Sequence, residues 1–119
     1  MMIVVPVEDC NNKIMATHFG RANYYVLFIV EAGVIKDEKC IENPRYRGAK
    51  PGEYFAEMGA DIIIISVSSG IGRKAIQELR SRGVRILQVD ARNAVEAVEK
   101  FLRGNAREYT GDGCSGQRY

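Results

Sequence analysis

The chain has 119 residues, which suits one domain with its own hydrophobic core. Its formal net charge is only +2, and its basic residues are interleaved with acidic ones, so the charge does not indicate nucleic-acid binding. No segment approaches the roughly twenty apolar residues of a membrane span, and the opening MMIVVPVEDC lacks the basic region of a signal peptide. We therefore expect a cytoplasmic protein without a membrane partner.

The first part of the chain is predicted to form strands. Residues 3–7 (IVVPV) are a short apolar run, typical of a strand buried on both faces. Residues 24–31 (YYVLFIVE) predict a second strand, and residues 34–43 predict a third, more polar one that suits a sheet edge. The short Ala32-Gly33 connection predicts that the second and third strands form a hairpin.

The second part alternates strands with helices. In chain order, we expect a short helix at 52–59, a buried strand at 61–67, a helix at 71–83, a strand at 84–89 and a helix at 93–104. Residues 105–119 are polar, contain several glycines and show no period. We therefore predict one domain at 1–104 and a flexible tail at 105–119.

The order β-β-β-α-β-α-β-α predicts an α/β fold in three layers. The hairpin requires antiparallel pairing, whereas the later strand–helix–strand units require parallel crossovers. The economical arrangement is a five-stranded mixed sheet of order 3-2-1-4-5, with strand 2 antiparallel and helices on both faces. This is the element order of the ribonuclease H-like architecture. In such a sheet, ligands bind beyond the carboxyl ends of the central strands, where the loops after strands one and four meet.

The loop after strand four contains SSGIGRK, at residues 68–74. Its Gly70 and Gly72 would let the backbone approach a ligand, and the following helix N-terminus favours an anion. An equally weighted interpretation is a plain strand-to-helix turn with Ser68 or Ser69 as the N-cap.

The loop after strand one holds the only histidine of the chain, His18, in HFGRA. Imidazole is a common ligand of transition metals, although an isolated histidine is more often a surface residue. One histidine does not make a zinc site, but it could bind a preassembled cluster that brings its own ligands. Cys10 in the same loop is the candidate soft partner ligand, and Cys114 could fold over the site from the tail.

The sequence disfavours nuclease activity, a catalytic triad and a disulfide framework. Ribonuclease H-like nucleases use clustered acids to hold two metal ions, but Asp61 and Asp90 are predicted at opposite strand ends, and Glu8 and Asp9 alone form no such cluster. Nothing indicates a Ser-His-Asp triad. The three cysteines are an odd, scattered set without C-x-x-C, which disfavours a disulfide framework, and we expect Cys40 to be structural. We predict that the protein is not an enzyme.

HFGRANYYVLFIVEAG followed by GIGRKAIQELRSRGVRIL resembles the dinitrogenase iron–molybdenum cofactor biosynthesis family, over residues 2 to about 104. The resemblance implies a ribonuclease H-like fold and binding of an iron–sulfur-based cofactor or precursor, carried between assembly proteins. It implies His18 as the ligand. Many family members have a second histidine after strand three, where this chain has Arg45 and Tyr46. The implied cofactor-binding residues are His18, Phe19, Gly20, Arg21, Ser69, Gly70, Ile71 and Gly72.

The sequence thus predicts a non-enzymatic carrier of an iron–sulfur or iron–molybdenum-type cluster. Its ligands would be His18 and Cys10, and Arg21 would help to offset the cluster's negative charge. The expected partners are the cluster or its precursor and cofactor-assembly proteins, with the chain a monomer or weak homo-oligomer. Two alternatives stay open: a binding module for an anionic or phosphorylated small molecule, and a ligand-free interaction scaffold.

Overall fold

The computed structural model describes residues 1–113, and its strands follow the apolar runs of the sequence. The strands are β1 (Met2–Val7), β2 (Tyr24–Glu31), β3 (Val34–Glu42), β4 (Ile62–Ser66), β5 (Arg85–Val89) and β6 (Arg107–Glu108). The helices are α1 (Pro51–Met58), α2 (Arg73–Ser81) and α3 (Ala94–Leu102), with a short 3-10 helix at Pro44–Arg47 after β3. None of the helices within residues 1–113 is long and apolar enough to cross a membrane.

The strands form one mixed sheet of order β3-β2-β1-β4-β5-β6. β2 is antiparallel to both β1 and β3, whereas β1–β4 and β4–β5 are parallel pairs. The predicted order of the first five strands is therefore present. The prediction of a five-stranded sheet is wrong, because residues 107–108 add a sixth strand antiparallel to β5. A two-residue strand has too few residues to show a period in the sequence.

The sheet separates two apolar layers because alternate residues of its strands point to opposite faces. Ile63 and Ile65 of β4 pack on the face that carries α1 and α2, together with Phe55 of α1 and Leu79 of α2. The neighbouring β4 residues pack on the opposite face with Val98 of α3. The result is a three-layer α/β arrangement with helices on both sides.

The helices are capped in different ways. α1 ends at Gly59, whose φ of 95° is left-handed and favours glycine. α3 is capped by Asn93, whose side chain accepts from the Glu96 N–H, as expected from the sequence. α2 begins later than predicted, because Gly72 is the N-cap and no side chain caps the helix. The interpretation of Ser68 or Ser69 as that cap is therefore wrong.

A disulfide joins Cys10, in the loop after β1, to Cys40 of β3, with 5.8 Å between their Cα atoms. The prediction of Cys10 as a metal ligand is wrong for this structure, since a disulfide sulfur is not the thiolate that binds metals. The cysteine pattern disfavoured a disulfide framework, yet the described residues contain this disulfide. Sequence spacing could not reveal the pair, because the contact depends on how the loop lies against the edge strand.

The described part of the predicted tail follows the domain surface. After β6, the Tyr109 N–H donates to the carbonyl of Ile86 (2.8 Å), and Arg80 donates to the Tyr109 carbonyl (2.6 Å). An added Cβ at Gly113 would lie 2.8 Å from backbone atoms of Arg73, so the chain reaches the start of α2. The Cys114 prediction falls outside the described residues.

Candidate functional site

Several chain segments meet at the edge where the parallel strands end. β1, β4 and β5 are parallel, so their carboxyl ends share this edge. β2 begins there because Tyr24 pairs with Val7, and β3 ends there because Glu42 pairs with Tyr24. The loops after β1 and β4 and the 3-10 helix after β3 therefore lie together at one mouth. The meeting of the two loops is as predicted from the topology.

The His18 segment and the turn after β4 are joined by main-chain hydrogen bonds. The Phe19 N–H donates to the Gly70 carbonyl (2.8 Å), and the Gly70 N–H donates to the Thr17 carbonyl (2.9 Å). These bonds place His18 opposite Gly70 in an isolated parallel bridge. The Ser69 hydroxyl adds a hydrogen bond to the Ala16 carbonyl (2.7 Å). Two sequence-predicted motifs are thus in direct contact.

The His18 ring is half-buried and has a fixed local partner. The Gly20 N–H donates to its Nδ1 at 3.1 Å. Since a nitrogen that accepts a hydrogen bond carries no proton, the neutral ring holds its proton on Nε2 in this arrangement.

The surroundings of His18 favour the neutral imidazole. Partial burial lowers its pKa from the ordinary 6.5, and the positive charges of Arg21 and then Arg45 lower it further. The ring is therefore uncharged near pH 7. The positive charge at this mouth comes from the arginines and not from the histidine.

Asn43 organises the main chain beside the histidine, and sequence reasoning missed it. It is only 1% exposed. Its amide nitrogen donates to the carbonyls of Gly20 (3.1 Å) and Ala22 (2.6 Å), and its Oδ1 accepts from the Arg45 N–H (2.9 Å). The Asn43-Pro44 dipeptide was an available signal, since it is typical of a turn start. The contact with residues 20–22 depends on tertiary structure.

Tyr25 forms a hydrogen bond to the same loop. Its hydroxyl donates to the Phe19 carbonyl, and the Asn43 amide donates to that hydroxyl at 3.3 Å. Burial raises the pKa of Tyr25 well above its usual range, against smaller opposing effects of Arg45 and Asn43, so the phenol keeps its proton and stays a donor. Because the Arg45 guanidinium also lies 3.5 Å from the Gly20 carbonyl, residues 43–45 hold the loop on one side.

A cavity of about 270 Å³ opens beside His18. It is lined by Glu8, Ala16, Thr17, His18, Arg21, Ala22 and Asn23. A larger surface groove, of about 550 Å³, lies at the opposite end of the sheet beside Met1 and Leu102. We take the smaller cavity as the candidate site, because it combines an imidazole with charged groups, whereas the larger groove is lined mostly by apolar residues.

The predicted cofactor-binding residues fall into two groups. The side chains of Phe19 and Ile71 are fully buried in the core, so only their main chain could meet a ligand. The Phe19 ring packs edge-on against Tyr25 and Phe55. The remaining predicted residues lie at the mouth or in the adjoining turn: His18, Gly20, Arg21, Ser69, Gly70 and Gly72.

Within residues 1–113, no three His, Cys, Asp or Glu side chains come together as a metal site. Structural metal sites usually need four protein ligands. The described donors therefore do not fit a metal ion held by this chain's side chains alone. A cluster that supplies most of its own ligands is compatible with a single contact at His18.

Comparisons with known proteins agree with this architecture. The sequence model of the family described as "Dinitrogenase iron-molybdenum cofactor" matches residues 1–104. An uncharacterized protein of Methanocaldococcus jannaschii is 27% identical over 114 residues, which cover 92% of each chain. The crystal structure of the protein PH0822 matches with a TM-score of 0.75 and 26% identity, covering 92% of this chain and 97% of the other. The apo form of the orange protein from Desulfovibrio gigas matches with a TM-score of 0.75, 22% identity and 96% of each chain, which shows a shared fold.

Proposed function

Because the chain belongs to the dinitrogenase iron-molybdenum cofactor family, we propose that it is a non-enzymatic carrier whose cargo is an iron–sulfur or iron–molybdenum-type cluster. The cargo would bind at the His18 mouth and be passed between cofactor-assembly proteins. The observation that carries the proposal is the main-chain pairing of the His18 segment with Gly70. That pairing joins the two segments by which the sequence resembles the family.

The site has properties that suit transient binding. His18 is half-buried at a loop, and Arg21 and Arg45 are exposed. Iron–sulfur clusters with sulfide or thiolate ligands are often anionic, so the arginines would offset their charge. An exposed site with few protein contacts would also allow the cluster to leave, which a carrier requires.

The test is anaerobic reconstitution with iron and sulfide, read by visible absorption after removal of unbound metal. We expect the parent chain to retain a cluster and His18→Ala to lose it while keeping its circular-dichroism spectrum. Lys36→Ala, on the exposed edge strand β3, is the control and should bind like the parent. Equal cluster retention by His18→Ala and the parent would contradict the proposal.

The second candidate is a binding module for an anionic or phosphorylated small molecule. The arginines beside His18 and the α2 N-terminus without a side-chain cap favour it. A parent chain that takes up no cluster but gains thermal stability with phosphate compounds would support it. A ligand-free scaffold would show neither response.

Three finer points belong to the same proposal. The β-β-β-α-β-α-β-α order supports a ribonuclease H-like classification, with β6 as an addition. We also propose a cytoplasmic location and a monomer or weak homo-oligomer. Because cytosolic thiols are usually kept reduced, this location requires that the Cys10–Cys40 disulfide resist reduction.

A further inference from the structure

The orientation of the His18 ring restricts how it can meet a ligand. The Gly20 N–H occupies the lone pair of Nδ1 at 3.1 Å, so the proton of the neutral ring is on Nε2. A metal bond from Nε2 needs the lone pair there, which exists only if the proton moves to Nδ1. That proton would then face the Gly20 N–H, and the two donors would repel. In metal sites, by contrast, the non-ligating nitrogen usually donates to an acceptor.

The charges around the ring also favour an anion over a metal cation as the ligand. Arg21 lines the cavity with His18, and the Arg45 guanidinium reaches the Gly20 carbonyl that lies next to the histidine contact. Positive groups repel a bare metal cation and attract an anion. Glu8 is the one carboxylate among the residues that line the cavity, which also include Arg21 and His18.

We propose that His18 acts as an Nε2–H hydrogen-bond donor, with Arg21 and Arg45 supplying positive charge. The mouth then holds an anion by its outer sulfur or oxygen atoms, without a bond from the protein to a metal. This deepens the proposed function and rests on it for the identity of the cargo. A cavity of about 270 Å³ has the volume of about nine water molecules. A compact tetrahedral anion is smaller than this volume.

The first test determines the tautomer of the His18 ring by NMR. His18 is the only histidine, so a long-range proton–nitrogen NMR spectrum contains one imidazole pattern. We expect the Nε2–H tautomer at pH 7.5 in the parent chain. The Nδ1–H tautomer would overturn the proposal, because it leaves Nε2 as a metal ligand.

The second test compares probes and variants. Inorganic phosphate should shift the His18 signals, whereas equimolar Co²⁺ should leave them unbroadened. His18→Gln places an amide N–H near the position of Nε2, whereas the shorter His18→Asn places its amide near the position of Nδ1, where its oxygen can accept from Gly20 but its N–H does not reach the position of Nε2. We expect phosphate affinity within about threefold of the parent for Gln and at least about tenfold weaker for Asn, read by calorimetry.

Arg45→Gln should weaken phosphate binding, whereas Arg103→Gln, beyond the far end of α3, should not. Absence of phosphate binding, equal losses for Gln and Asn, or Co²⁺ coordination at His18 would each overturn the proposal. Failure of the proposed function looks different: the parent chain would take up no cluster, yet the tautomer and the phosphate response would remain. A cluster that binds the parent but not His18→Gln would keep the function and reject the donor role.

Discussion

The Cys10–Cys40 disulfide should account for a large share of the stability of the fold. It links residues 30 apart in sequence, so it prevents the unfolded chain from separating the loop after β1 from β3. The loop-entropy relation for a separation of this size gives a stabilisation of about 3–4 kcal/mol at 25 °C. Typical domains have only about 5–15 kcal/mol in total.

The perturbation is Cys10→Ser with Cys40→Ser, compared with the oxidised parent by urea unfolding followed with circular dichroism. The variant should lose about 3–4 kcal/mol and show a larger dependence on urea, because its unfolded state is more expanded. The native loop should survive, since the Glu8 N–H donates to the Ile14 carbonyl (2.8 Å) and Lys13 pairs with Glu38 (2.6 Å). The His18 NMR signals should therefore stay in place.

The control is the parent chain in excess reductant, which should match the double variant in both midpoint and slope. A loss below about 1 kcal/mol would refute the loop-entropy reasoning. Displaced His18 signals in the variant would show instead that the disulfide shapes the native loop and acts on more than the unfolded chain.

Five further perturbations probe the fold and the surroundings of His18. Asn43→Ala should cost about 2–4 kcal/mol in thermal or urea unfolding, because several buried partners lose their hydrogen bonds, and a loss under about 1 kcal/mol would contradict the assigned network. Gly52→Ala should cost about 1–3 kcal/mol in the same assay, since its Cβ would lie 3.0 Å from the Cα of Ala75 in α2, and an unchanged midpoint would mean that the helices separate freely. The free energy of unfolding should fall as the pH drops below 6.5, because the pKa of His18 is lower in the folded than in the unfolded chain and the unfolded chain takes up the proton first. His18→Gln should lose this part of the pH dependence, and an identical pH profile would count against the described environment. Arg45→Gln should raise the pKa of His18, measured by NMR titration, and an unchanged pKa would count against it in the same way.

The fold was largely predictable because its signals are local. The apolar run at residues 62–65 and the glycine after α1 mark their elements without reference to the rest of the chain. The meeting of His18 with Gly70 was predictable too, since parallel crossovers place both loops at one sheet edge.

What the sequence did not reveal depends on tertiary contacts. Asn43 looked like an ordinary turn residue, yet its amide reaches two carbonyls more than twenty positions earlier in the chain. Cys10 looked like a soft metal ligand, because nothing in its neighbours indicates that the loop lies against β3. The start of α2 was misplaced since serine is a better cap than glycine by local preference, and Ser69 instead bonds to Ala16.

The contact between the His18 segment and the turn after β4 consists of main-chain hydrogen bonds from Phe19 and Gly70. Such main-chain hydrogen bonds do not depend on which side chains line the mouth. Substitutions at His18, Arg21 and Arg45 therefore change the charge and the hydrogen-bonding groups of the mouth while the main-chain frame that supports it persists. For protein engineering, these three positions can be exchanged on a constant backbone, so that binding properties are selected separately from the ability to fold.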